Sequence, residues 1–237
     1  MLSLNFNPTF SHIETIEKWL LEEVKNTGEG FYNNWSTISK AFDEQNLIVI
    51  FKNEDPIGFL VYNLDNNFSI IDIISIKPDI RGQGIARFFI KEVLLFFKSK
   101  GALVTTLFCS PEKSKHFWEK VGFSFFSEVL NDNKISMYKE LVETPKTTKS
   151  KNIKAIIKLW DCEPYQARSK EPYKVWNIEF EEDNKTFKTP LIFPVSIDWQ
   201  IVLIKSESDI ITNKIKYLDG DITYSNNVVI IKSFENI

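Results

Sequence analysis

Apolar and polar residues alternate from the first positions of the chain. Leu2-Ser-Leu-Asn-Phe6 carries the period of two expected of a half-buried strand. The period then lengthens. Ile13, Ile16, Leu20 and Val24 fall on one face of a helix, with Ser11 and Glu14 as a capping box at its start and Gly28 and Gly30 at its end. A second helical stretch runs from about Phe31 to Phe42. Leu47 to Phe51 and Ile57 to Tyr62 read as hairpin partners around Asn53-Glu-Asp-Pro56, and Phe68 to Ile76 is a further, isoleucine-rich strand. Phe88, Phe89, Val93, Leu94, Phe96 and Phe97 make the helix over 84–100 apolar around most of its circumference, which predicts deep burial. Gly101 stops it and Leu103 to Phe108 is a strand. Pro111 opens another helix at its first turn, and Gly122 closes it. Residues 123–126 and 135–141 complete the region as antiparallel strands around Asn131-Asp-Asn-Lys134.

The pattern changes after residue 143. Thr144-Pro-Lys-Thr-Thr-Lys-Ser-Lys151 is polar, contains a proline and has no apolar period, so it reads as a linker. Beyond it, Tyr173–Phe180, Trp199–Ile204 and Val228–Ile231 are strand-like, Asp219-Gly-Asp221 and Asn226-Asn227 signal turns, and Ser208–Leu218 reads as a short helix with Ile211, Ile215 and Leu218 on one side. The expected organisation is a domain over 1–143, a linker over 144–151 and a smaller β-rich domain over 152–237 that carries no identifiable motif.

Composition narrows the classes of function. With 43% hydrophobic and 26% charged residues, the 237-residue chain can bury a core and is not disordered. Its formal charge is −3 and no basic stripe alternates with aromatics, so nucleic acid has no electrostatic footprint. Cys109 and Cys162 cannot form a framework of bridges, and Cys109, at the end of an apolar run, reads as a buried thiol suited to a reducing cytosol. The first residues lack the basic start and long apolar run of a signal peptide, and no apolar run is long enough to span a bilayer, so a soluble cytoplasmic protein without membrane contact is expected. His12 and His116 with two distant cysteines give no metal-ligand spacing and no Ser-His-Asp arrangement.

The chemistry points to Ile74-Ser-Ile-Lys-Pro-Asp-Ile-Arg-Gly-Gln-Gly-Ile-Ala86, a strand that runs through a glycine-rich turn into a helix. Backbone N–H groups gathered there, together with the helix dipole, favour a phosphate. A Walker loop would need a lysine after its last glycine, and none follows. A dinucleotide fingerprint would need a third glycine at a fixed offset, which is also lacking. Arg81-x-x-Gly84-x-Ala86 after Ile74-x-Ile76 instead resembles the pyrophosphate loop of the GNAT (GCN5-related N-acetyltransferase) superfamily. A second segment, Ser110-Pro-Glu-Lys-Ser-Lys-His-Phe-Trp-Glu-Lys-Val-Gly-Phe123, is similar to that family's Asn/Ser-Pro-x-x-Ala-x-x-Phe-Tyr-Glu-Lys-x-Gly-Phe, matching at Glu119, Lys120, Gly122 and Phe123, with Phe117 just before. The resemblance covers about residues 1–142. It implies an α/β (α+β) GNAT fold with a mixed central sheet flanked by helices, acetyl-CoA as cosubstrate, no metal, and an amine acceptor, small molecule or protein.

By that resemblance Arg81, Gly82, Gln83, Gly84, Ile85 and Ala86 hold the pyrophosphate, with Gly82 and Gly84 letting the backbone approach it. Strands 68–76 and 103–109 splay apart, Ile74, Ser75 and Ile76 pair with the pantetheine arm, the Ile74 N–H is the oxyanion donor, and Ser110, Phe117 and Trp118 border the cofactor. Asp72, taken to share a strand face with Ile70, Ile74 and Ile76, is the candidate base, its pKa raised by burial. The rival reading is an aspartate paired with a lysine or capping a loop. Trp118 stands where the family usually has tyrosine, and indole cannot give up a proton. It either stacks on the cofactor arm or packs in the core, leaving Ser110 or water to protonate the thiolate. The sequence therefore leaves two functions open. One is acetyl transfer to an amine by direct attack in a ternary complex. The other is a degenerate CoA-binding or scaffold domain serving the C-terminal part. That part could cover the acceptor site, form a homodimer contact or bind a partner.

Overall fold

The computed structural model describes residues 1–130, 134–145 and 155–234. The turn residues Asn131–Asn133 and most of the linker expected at Thr144–Lys151 lie outside them. The chain divides into two compact units, Met1–Ser124 and Phe125–Ile237, and the boundary expected after residue 143 lies within the second.

In the first unit, β1 (Leu2–Asn5), β2 (Leu47–Lys52), β3 (Asp55–Asp65) and β4 (Phe68–Ile76) pair antiparallel in chain order, and β5 (Val104–Cys109) joins β4 in parallel, so the sheet is mixed. Helices α1 (Phe10–Thr27) and α2 (Trp35–Asp43) cover one face. Ile13, Ile16, Trp19, Leu20, Ile38 and Ala41 from these helices form one core with Leu47, Val49, Phe51, Phe59, Val61 and Ile73 of the sheet. Helix α3 (Ile85–Ser99) lies on the other face, where Phe96 and Phe97 meet the Tyr62 ring at 6.0 and 5.2 Å. α3 is less enclosed than its composition predicts. Phe89, Ile90, Val93 and Phe97 are fully buried, but Phe88 and Leu95 face outward.

Helix α1 is capped by Thr9, not Ser11: the Thr9 N–H donates to His12 Nδ1 at 3.0 Å, which gives that histidine a structural role. Between α1 and α2, a 3-10 turn at Phe31–Asn34 replaces the first turn of the expected second helix. After β5, a 3-10 turn (Glu112–Ser114) precedes α4 (Lys115–Lys120), and the two-residue strand β6 (Ser124–Phe125) follows it.

The second unit holds β7 (Ile135–Glu140), the short helix α5 (Pro164–Ala167) and two antiparallel sheets. One is ordered β12-β11-β8-β9, from Ala155–Leu159 (β8), Lys174–Ile178 (β9), Gln200–Ser206 (β11) and Asp209–Lys214 (β12). The other is ordered β10-β14-β13, from Thr186–Pro194 (β10), Ile222–Ser225 (β13) and Val228–Ser233 (β14). Alternate residues of both sheets, including Ile157, Trp176, Phe193, Leu203 and Ile231, share one core. The helix expected over Ser208–Leu218 is instead β12 followed by a 3-10 turn at Ile215–Tyr217. Consecutive β-branched residues Ile210, Ile211 and Thr212 suit a strand, and the neighbouring β11 supplies the ladder that a helix would forgo.

Candidate active site

The site grows from a local irregularity in β4. Register against β3 runs Leu60↔Ile74, Val61↔Ile73, then Tyr62↔Ile71, so Asp72 is an extra residue, a β-bulge. Cross-strand partners share a face, so Ile73 goes with Val61 into the α1/α2 core while Ile71, opposite Tyr62, goes to the α3 side. The bulge also resets which backbone groups face outward from β3. Lys77 N–H donates to the Ile57 carbonyl at 2.9 Å, and antiparallel alternation then turns Ser75 toward β3 and the N–H and C=O of Ile74 and Ile76 toward β5.

There β5 is no longer alongside. The two strands pair only from Phe68↔Val104 to Ile71↔Leu107. Ser69 fastens the closed end: its Oγ lies 2.7 Å from Thr105 Oγ1 and donates to the Val104 carbonyl at 3.2 Å, all buried. Past Ile71 the strands separate, and a cavity of about 800 Å³ opens between them. Asp72, Ile74, Ser75, Ile76, Arg81, Ala86, Ser110, Phe117 and Trp118 all line it, which brings together most of the sequence-nominated residues. Gly82, Gln83 and Gly84 form the exposed turn leading to α3, and Ile85 is buried, so it offers the site its backbone N–H only.

At the glycine turn, Gly82 and Gly84 both have φ of +80°, and a Cβ on either would meet nothing within 4 Å. Backbone conformation, not crowding, therefore requires glycine there. Gly84 is the N-cap of α3, so the first N–H groups of that helix point out of its end without helical partners. This arrangement fits a pyrophosphate, and the outward N–H groups of β4 fit the amides of an extended arm.

The Arg81 guanidinium is turned inward. Its Nε donates to the Ile76 carbonyl at 2.6 Å, Nη1 lies 2.7 Å from Glu23 Oε1, and Nη2 lies 3.5 Å from Ser75 Oγ. Arg81 thus ties α1 to the end of β4, and two of its five N–H donors remain for a ligand. Glu23 was not foreseen. The available signal was a carboxylate three residues after Leu20 and seven after Ile16, on the apolar face of α1.

Asp72 departs from the sequence expectation in its surroundings. The bulge removes it from a common face of isoleucines, and it is exposed to the cavity, with Oδ2 accepting from Asn63 Nδ2 at 2.6 Å. Partial desolvation still pushes its carboxyl above the ordinary aspartate range, and the Asn63 hydrogen bond offsets part of that rise. Trp118 is 5% exposed and packs edge-on against Phe117 and Phe123 at 5.1 and 5.2 Å, so its body belongs to the core while it borders the cavity. The Cys109 thiol, buried at the end of β5, is pushed up by burial, which makes it a poor nucleophile at neutral pH. His116 is exposed and lies 3.1 Å from Glu119. Among the described residues there is no cluster of metal ligands, and no helix is long and apolar enough to cross a membrane.

Residues 11–123 match the family model described as the Acetyltransferase (GNAT) family. Among solved structures, the PaiA N-acetyltransferase of Thermoplasma acidophilum in complex with coenzyme A is 18% identical, with a TM-score of 0.50, and the match covers 59% of this chain and 99% of that one. The ribosomal-protein-S18-alanine N-acetyltransferase of Escherichia coli is 12% identical, with a TM-score of 0.48, covering 63% and 100%. No curated protein matches the chain.

Proposed function

We infer that this chain, whose residues 11–123 form a GNAT-family acetyltransferase domain, transfers an acetyl group from acetyl-CoA to an amine by direct attack in a ternary complex. The observation that carries this reading is the coincidence of three features around one cavity: the separated β4–β5 edge and the Asp72 carboxylate, which line it, and the two positive-φ glycines of the exposed turn that runs between its lining residues Arg81 and Ala86. A domain retained only as a scaffold has no need for all three together.

Bound acetyl-CoA supplies an activated acyl carbon and a good leaving group, a thiol with a pKa of about 8.5. Ile85 and Ala86 N–H groups, with Gly82 and Gly84 shaping the turn, hold its pyrophosphate. Ile76 N–H and the Ser75 side chain border the arm. The Ile74 N–H, directed into the gap, donates to the carbonyl oxygen as charge develops on it. Asp72 takes the proton from the attacking nitrogen, directly or through one water. As the C–N bond forms the C–S bond breaks, and the departing thiolate takes its proton from water or from the exposed Ser110 at the cavity wall. Trp118 cannot supply that proton. The raised Cys109 thiol favours direct attack over an acyl-cysteine route.

The test is release of CoA thiol from acetyl-CoA with a panel of primary amines, read by a thiol reagent with the acetylated product identified by mass. Amine-dependent release with product formation supports the reading. Acetyl-CoA binding without transfer to any amine would favour the scaffold alternative.

A further inference from the structure

One wall of the cavity belongs to the end of α1 and the segment that follows, with Glu23, Glu29, Gly30, Phe31, Asn33 and Asn34 lining it. Among these lining residues are two carboxylates, two carboxamides and no cation. Glu29, Asn33 and Asn34 are exposed, whereas the Glu23 side chain is only 8% exposed. Its Oε1 is engaged by Arg81, but its Oε2 is buried with no hydrogen-bond partner among the described residues. A carboxylate oxygen left buried without a donor is costly, and a native site normally fills it. An ionised carboxylate oxygen only accepts, so the missing partner is an N–H or O–H donor, and charge assistance makes a positively charged one the stronger partner.

Glu23 sits apart from the reacting centre. Arg81 ties it to Ser75 and the Ile76 carbonyl, and Ile76 lies two residues beyond Ile74 and four beyond Asp72 along β4, roughly 7 and 13 Å at strand rise. A group bound at Glu23 is therefore distinct from the nitrogen that Asp72 deprotonates.

We propose that Glu23 is an acceptor-recognition residue: its Oε2 receives a second cationic group on the acceptor, so the site prefers diamines over amines with a neutral far end. This deepens the acyl-transfer reading and rests on it. Guanidinium binding at Oε1 leaves the carboxylate fixed in orientation, which suits selection of a charged group at a set distance from the transfer point.

The experiment compares 1,6-diaminohexane with 6-amino-1-hexanol as acceptors, a pair matched in length and differing in the far-end charge. Acetyl-CoA binding is followed in parallel by calorimetry. The parent should favour the diamine in kcat/KM by about tenfold or more, and Glu23→Gln, which keeps the shape and a hydrogen bond to Arg81, should bring the ratio to within about threefold of one. Circular dichroism checks folding. If Glu23→Gln does not fold, Glu23→Asp, which keeps the charge but stops one methylene short, takes its place and must also lower the ratio. A parent ratio near one, a ratio unchanged in the variant, or acetyl-CoA binding with neither acceptor used would each overturn the assignment. Absence of acetyl-CoA binding would instead overturn the cofactor reading, and this proposal with it.

Discussion

Replacing Asp72 by asparagine separates chemistry from stability. Asparagine keeps the size of the side chain and its carbonyl oxygen can still accept from Asn63 Nδ2, now at 2.6 Å from Asp72 Oδ2, but it cannot take a proton. Loss of a general base lowers rate by about 10²–10⁴-fold, or roughly 3–5 kcal/mol of transition-state stabilisation. Stability should move the other way. The native carboxyl is raised by desolvation, so between its unfolded and folded pKa values the native state holds more protons than the unfolded chain. Stability from this group therefore falls as pH rises through that interval, and at neutral pH the ionised carboxylate is a burden that Asp72→Asn removes. The assays are steady-state CoA release against pH, with thermal unfolding at pH 7. The parent rate should rise with pH along a limb set by a pKa above the ordinary aspartate value. In the variant that limb should vanish, with Tm unchanged or higher and acetyl-CoA affinity retained. Activity within threefold of the parent, or the same limb in both proteins, would refute the assignment of Asp72 as the base.

Further predictions concern the supports of the site and the second core. Gly58 on β3 lies so close to the end of β4 that a Cβ would meet the Ser75 carbonyl oxygen at 2.7 Å and Ile76 Cδ1 at 2.6 Å. Gly58→Ala should cost about 1–3 kcal/mol in urea unfolding and weaken acetyl-CoA binding by displacing Ile76, whereas an unchanged midpoint would mean the two strands are not held at that spacing. Phe193 is fully buried and its ring meets Trp176 at 4.8 Å, so Phe193→Ala should cost about 3–5 kcal/mol, with hydrogen-exchange protection lost first in β9, β10 and β11. Protection retained in those strands would contradict a single shared core for the two sheets of that unit.

The parts of the molecule that were legible in the sequence are those where one local signal suffices. The apolar face of α1, the hairpin of β2 and β3 and the glycine turn before α3 each rest on spacing or on residues with restricted backbone preferences. The bulge at Asp72 was hidden because one extra residue in a run of isoleucines leaves the hydrophobic pattern intact while exchanging which backbone groups face the gap. The role of Glu23 was hidden for a different reason. Its partner Arg81 is distant in sequence, and only the fold joins them. In the second unit, Ile211, Ile215 and Leu218 match a helical period by chance over one short segment, and pairing with β11 decided the outcome. Thr9 displaced Ser11 as the cap of α1 because His12 lies where it can accept the Thr9 N–H.

The most direct test of the central claim, that the glycine turn and the opened strand edge hold acetyl-CoA, is calorimetric titration of the parent and of Gly84→Asp. A Cβ at Gly84 has open space, so the variant should fold, at about 1–2 kcal/mol of backbone strain, while placing negative charge where the pyrophosphate is held. The account predicts micromolar binding by the parent and at least a hundredfold loss in the variant. No binding by the parent, or equal binding by both, would contradict it.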